Sequence, residues 1–163
     1  MRRKRWVIAA LSSLLIVVII GLSGVGGWFY WDRVQTQGQE SARAVLPKLA
    51  ETEIPEVFAY DYQTVERSLN EAYEFLTPQY RREFQKSANT QIIPEAKKRE
   101  VVVQASVVGV GVMAAKRDSA SVMVYMNRTV TDKARQPLYD GSRLRVDFER
   151  IDGKWLIAYI TPI

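Results

Sequence analysis

RLRVDFERIDGKWLIAYITPI, Arg143–Ile163, is the stretch from which the fold can be read. Leu144, Val146 and Phe148 alternate with Arg143, Arg145, Asp147 and Glu149, the two-residue period of a strand with one apolar and one charged face. Asp152-Gly153 follows, a pair that accepts the left-handed backbone a type I′ hairpin turn requires at both central positions. Trp155, Ile157 and Tyr159 then alternate on the returning strand. A sheet with one apolar face needs a second layer to cover it, and that layer has to come from earlier in the chain.

Moving outward, Val101 to Met113 is long and valine-rich and predicts another strand, with Gly109 and Gly111 marking a bend, a bulge or a close backbone approach. Lys116 to Ser119 is its turn, and Ala120, Val122, Val124 and Met126 begin the next strand. Thr131 to Gly141 is polar, contains Pro137, and reads as a loop. Upstream of the strands the period changes to that of helices. Ala42, Val45, Leu46 and Leu49 fall on one helical face, with Pro47 expected to kink or restart the helix. Val65, Leu69, Ala72, Tyr73 and Leu76 form a stronger stripe. Thr77-Pro78 reads as N-cap and first residue of a short third helix carrying Tyr80 and Phe84. Ile92-Ile93-Pro94 followed by Glu95 to Arg99 reads as a polar turn or one helical turn. The expected fold is α+β, about three helices on a four-stranded antiparallel sheet.

The first third of the chain has a different logic. Trp6 to Trp31 contains no charged residue, and Arg2, Arg3, Lys4 and Arg5 stand directly before it. A helix needs about 20 apolar residues to cross the hydrocarbon core. Trp6 at one end and Trp28 and Trp31 at the other sit where interfacial anchors belong. A cleaved signal peptide would have a shorter apolar run and a small-residue cleavage site, so an uncleaved anchor is the better reading. The preceding cations place the N-terminus in the cytoplasm and the rest outside. The expected organisation is a basic tail at 1–5, a transmembrane helix at 6–31, a polar stalk at 32–41 and an extracytoplasmic domain at 42–163. Gly21, Ser23, Gly24 and Gly27 would let a second helix approach closely, so they are the candidate partner interface within the membrane.

Composition removes several function classes. The 163 residues include neither Cys nor His, so disulfides, thiolate nucleophiles and His-based triads or zinc sites are excluded. No cofactor or metal is expected. The formal charge is +5, but four positives lie in the first five residues, and the remainder carries 19 positive against 18 negative residues. With no basic face on the domain, no nucleic-acid partner is expected.

Some constellations carry a sharp reading beside a plain one. Tyr60, Asp61 and Tyr62 could line a ligand mouth; the plain reading has the tyrosines packing while Asp61 or Thr64 caps the next helix. Asp147 and Glu149 could form an acid/base pair, but ion pairing with Arg143 and Arg145 on a solvated face is the commoner outcome. Arg81, Arg82 and Lys86 with Lys97, Lys98 and Arg99 could meet an anionic partner or simply be solvated. Met113, Met123 and Met126 could line an adaptable cavity or fill core. Trp155 is read as core.

The order of parts, with "FAYDYQTVERSLNEA" (Phe58–Ala72), "LTPQYRREF" (Leu76–Phe84) and the terminal "VDFERIDGKWLIAYITPI", resembles the actinobacterial Mce-associated membrane proteins. That resemblance covers essentially the whole chain and implies an NTF2/SnoaL-like cone for the outer domain. It also implies an accessory subunit of Mce-type lipid import in the cell membrane, partnered by the transporter permease, its substrate-binding subunits and membrane lipid, and not an enzyme. The alternative is a VirB8-like assembly component of a secretion system. A SnoaL-like enzyme is the third reading, weakened by the absence of His.

Overall fold

The computed structural model describes residues 33–134 and 136–163. The expected span at 6–31, with Trp6, Trp28 and Trp31 and the small residues Gly21, Ser23, Gly24 and Gly27, lies outside them. Among the described residues no helix is long and apolar enough to cross a membrane. The folded unit is Gly38–Ile163, and the unit before it ends at Gln37.

Helix α1 occupies residues 33–58. The described part of the stretch read as a stalk is therefore helical, as its Gln, Glu and Ala content permits. Gly38 has a packing reason: a Cβ there would lie 2.8 Å from Arg117 Cγ and 3.2 Å from Arg117 Cα. The helix runs on through Pro47 and Pro55, so the restart, one of the two outcomes expected at Pro47, does not occur. Each proline removes one backbone hydrogen bond, and a fully buried row of Ala42, Leu46, Ala50 and Ile54 holds the helix across them. The row follows four-residue spacing, which leaves Val45 44% exposed rather than buried.

After α1, β1 (Tyr60–Asp61) leads into α2 (Val65–Ala72), a tight turn at Tyr73–Phe75, α3 (Pro78–Ser87), a wide π-type turn at Ala88–Ile92 and α4 (Ile93–Arg99). Val65, Leu69, Ala72, Tyr73 and Leu76 are all buried, as their stripe predicts. Thr77 caps α3, its Oγ1 accepting from the Tyr80 amide at 3.3 Å. The Thr77 amide donates to the Ile157 carbonyl at 2.9 Å, fixing the helix to the sheet. Thr77→Ala should therefore cost about 1 kcal/mol, the usual value of a lost cap, read as a lower urea midpoint.

The sheet has five antiparallel strands in the order β1-β2-β3-β4-β5, with β2 at Val102–Ala115, β3 at Ser119–Thr131, β4 at Leu138–Ile151 and β5 at Lys154–Pro162. The expected four are corrected to five by Tyr60–Asp61, which pairs with Val102 and Val103. The expected loop also shrinks to residues 132–137, because Val130 pairs with Leu138 and Arg128 with Asp140. Cross-strand pairing outweighs the polar composition there. Asp152 and Gly153 have φ of 50° and 83°, as the hairpin reading requires. On β2 the pairing slips between Val107 and Gly109 and between Val112 and Ala114. The bulged residues are thus Val108 and Met113, beside the two glycines rather than at them. One sheet face is buried through Val122, Val124, Met126, Leu144, Val146, Phe148, Trp155 and Ile157. The other face is open.

Candidate functional site

Two polar regions stand on the sheet, one on each face. On the helix-covered face, beyond Met126 and Leu144, the alternation places Arg128, Asp140 and Ser142. Arg128 Nη2 donates to Asp140 Oδ2 at 2.8 Å and Ser142 Oγ donates to the same oxygen at 3.0 Å. These bonds, Ser142 first and Arg128 next, hold the Asp140 carboxyl below its ordinary range. Arg128 Nε is buried with no acceptor among the described residues. Burial pushes the Tyr60 phenol up, while the Arg128 charge works against that rise.

The Tyr60–Tyr62 stretch follows its plain reading only in part. Tyr60 and Tyr62 pack against the core. Asp61 Oδ1 accepts from the Gln63 amide at 2.8 Å, closing a turn, and Thr64 makes no side-chain cap to α2. Neither residue caps the helix as expected, because Asp61 stands three residues before the N-cap position at Thr64 and turns its carboxylate to the Gln63 amide instead.

On the open face, Ser121, Asp147 and Tyr159 align across β3, β4 and β5. Asp147 Oδ1 accepts from Arg145 Nε at 3.0 Å and from Ser121 Oγ. The ion pair runs along one strand instead of across two. Glu149, expected to share the arginines, has no side-chain partner among the described residues. The two carboxylates therefore differ in environment, but both face outward and neither is in a dry site.

The basic residues do not form one patch. Arg81 stacks over the Tyr73 ring at 5.5 Å, Lys97 pairs with Glu66 at 2.6 Å, and Arg99 pairs with Asp132 at 2.7 Å. The three methionines separate as well: Met126 is 2% exposed, whereas Met113 bulges out and is 53% exposed. Trp155 is buried, as read.

Sequence reasoning missed Glu53. It is 6% exposed and its Oε2 has no hydrogen-bond partner among the described residues. Burial pushes its carboxyl up to about 7, with the Lys154 charge pulling the other way. The signal was present, since Glu53 falls three residues after Ala50 and just before Ile54, inside the buried row of α1.

The family model that matches this chain is described as "Uncharacterized protein Rv1363c/MT1408-like" and covers residues 7–159. The chain belongs to this family. A Mycobacterium tuberculosis relative named "Outer membrane protein Rv1973" is 25% identical over 151 residues, spanning 93% of this chain and 94% of its own. "Uncharacterized protein Rv1362c" of the same organism is 25% identical over 154 residues, 92% of this chain and 70% of its own. An IcmL-like type IV secretion system protein from Legionella pneumophila superposes with a TM-score of 0.63 at 15% identity, covering 74% of this chain and 93% of that one. The periplasmic domain of DotI gives 0.61 at 14% identity, covering 74% and 94%. VirB8 of Agrobacterium tumefaciens gives 0.55 at 12% identity, covering 68% and 84%. At such identities the likeness establishes the fold alone: this chain has the α+β architecture of the IcmL-like, DotI and VirB8 structures.

Proposed function

We propose that the chain is a non-catalytic assembly subunit of a cell-envelope machine, with a VirB8-type outer domain held at the membrane by its N-terminal span. The supporting observation is the superposition on the IcmL-like protein, which takes in 93% of that chain at a TM-score of 0.63. The relative named as an outer membrane protein supports an envelope location. Accessory work in Mce-type lipid import draws no support from the relatives and structures named above, so assembly replaces it as the main reading. Catalysis is disfavoured by the site chemistry: an acid/base pair needs two carboxyl groups together in a partly dry site. Glu53 is buried inside the helix row, while Asp147 and Glu149 lie on the open face.

In this reading the small-residue stretch Gly21, Ser23, Gly24 and Gly27 packs on a partner's membrane helix, and the outer domain adds contacts outside. Affinity purification of the full chain from native membranes in mild detergent, with mass spectrometry, tests it. Subunits of a secretion-type machine should co-elute, and replacing Ser23, Gly24 and Gly27 by Leu should deplete them. Co-elution of an Mce permease and its substrate-binding subunits would return the protein to lipid import. A chain that elutes alone would sink the assembly role.

A further inference from the structure

The open face of the sheet carries a groove that the assembly role leaves unused. Between the first turn of α3 and β4–β5 there is a cleft of about 590 Å³, lined among others by Arg82, Asp147, Glu149, Ala158 and Tyr159. A second, of about 260 Å³, reaches toward the β2–β3 turn at Lys116 and Ser119. Both are walled by Asp147, Glu149 and Ala158, so the two clefts adjoin along β4 and β5 and are taken together as a trough. Its origin is local. β5 bulges at the Asp147/Phe148 step, where Tyr159 and Ile157 take the paired positions and Ala158 is the extra residue. A methyl group there, with Ala114 and Ser121 nearby, leaves the floor low.

The charges along the trough are ordered. Asp147 in the middle is already held by Arg145 and Ser121. Glu149 beside it has no partner among the described residues, and neither do the side chains of Arg82 at one end and Lys116 at the other. The order is positive, negative, positive. A free carboxylate at the centre repels a nucleic acid or a phospholipid headgroup. It also falls short of the six or more oxygen ligands that a calcium ion takes. From β5 to β2 is three inter-strand steps, about 15 Å, which roughly five extended residues span.

We propose that this groove seats an extended segment of a partner protein whose charges run acidic, basic, acidic. The basic side chain lies over Ala158 with its cation at Glu149, and the flanking carboxylates meet Arg82 and Lys116. The proposal rests on reading the chain as an assembly subunit, and it names where and by what chemistry one partner docks.

Fluorescence anisotropy on the full chain in neutral detergent micelles tests it. The probes are the dye-labelled peptide Ser-Glu-Gly-Lys-Gly-Glu-Ser and its charge-inverted counterpart, Ser-Lys-Gly-Glu-Gly-Lys-Ser. At low salt the first should bind about tenfold more tightly, and the preference should shrink as salt screens it. Because exposed pairs are individually weak, Glu149→Gln should weaken binding only about threefold. Glu149→Lys should abolish the preference. Equal affinity for the two peptides, no binding below millimolar peptide, or an unaltered preference in Glu149→Lys would overturn the proposal. Self-association of the chain that Glu149→Lys disperses would overturn it too, by placing a second copy in the groove. Partners that still co-purify from membranes in Glu149→Lys, with no peptide preference in the wild type, would leave the assembly role standing and the groove without one.

Discussion

Raising the pH from about 4.5 to about 7 should cost the folded unit roughly 3 kcal/mol, a loss that Glu53→Gln removes. Glu53 is buried with one carboxyl oxygen unpartnered among the described residues, and burial raises its pKa from 4.5 to about 7. Below 4.5 the group is protonated in both folded and unfolded chains and contributes no slope. Between 4.5 and 7 the unfolded chain has released the proton while the folded one keeps it, so stability falls as pH rises. Above about 7 both forms are ionised and the loss is complete. Asp132 and Asp140 act with the opposite sign. Arg99 lowers the Asp132 carboxyl, and Ser142 and Arg128 lower that of Asp140, so their contributions are present at neutral pH and vanish as pH falls. The wild-type optimum therefore lies on the acid side of neutrality. Urea titrations from pH 4.5 to 8 on wild type and Glu53→Gln measure this directly. A flat wild-type profile, or the same slope in both proteins, would refute it.

The same residue marks where the sequence stops being legible. Two-residue alternation predicts the faces of β3 and β4 and of β5 as far as Ile157, and Asp152-Gly153 predicts their last turn, because both are local properties of the chain. Past Ile157 the bulge turns Tyr159, expected on the face of Trp155 and Ile157, to the open face. The stripe from Val65 to Leu76 is legible for the same reason. Glu53 is not, because a carboxylate inside an apolar row reads as the polar edge of a helix until packing is known. The strand at Tyr60–Asp61 is only two residues long and exists through its partners Val102 and Val103. Leu138–Gly141 reads as loop by composition and becomes strand through β3. Each miss concerns a residue whose state is set by a distant partner.

The groove was half legible. Alternation put Asp147 and Glu149 on the charged face, and the expectation of pairing with arginines held for Asp147 alone. What separates the two acids is register. Asp147 stands opposite Ser121, which adds a hydroxyl to its ion pair with Arg145, while Glu149 stands opposite Ser119 and Leu156. The bulge that lowers the floor at Ala158 has only a faint sequence signal, a single alanine, weak in strands, among the better strand formers Ile157 and Tyr159.

Phe148→Ala should destabilise the folded unit by about 3–5 kcal/mol, the usual range for emptying a buried aromatic site. Phe148 is 1% exposed and is among the largest fully buried side chains. Its row across the sheet runs Ala115, Ala120, Phe148, Ile157, so the ring has a methyl group on one side and a branched Ile157, already buried and packed, on the other. The alanines are too small to fill the space it would leave. Tyr139→Ala, at a site 76% exposed on the same strand, should stay within about 0.5 kcal/mol. Urea denaturation at constant pH compares them, and a Phe148→Ala loss below about 1 kcal/mol would mean that the helices do not cover this face as described. The position also separates folding from docking. Phe148 and Glu149 are adjacent on β4 and point to opposite faces. A defect from Phe148→Ala should therefore follow the unfolded fraction and recover when stability is restored by lower pH, whereas a defect from Glu149→Gln should persist in a fully folded protein.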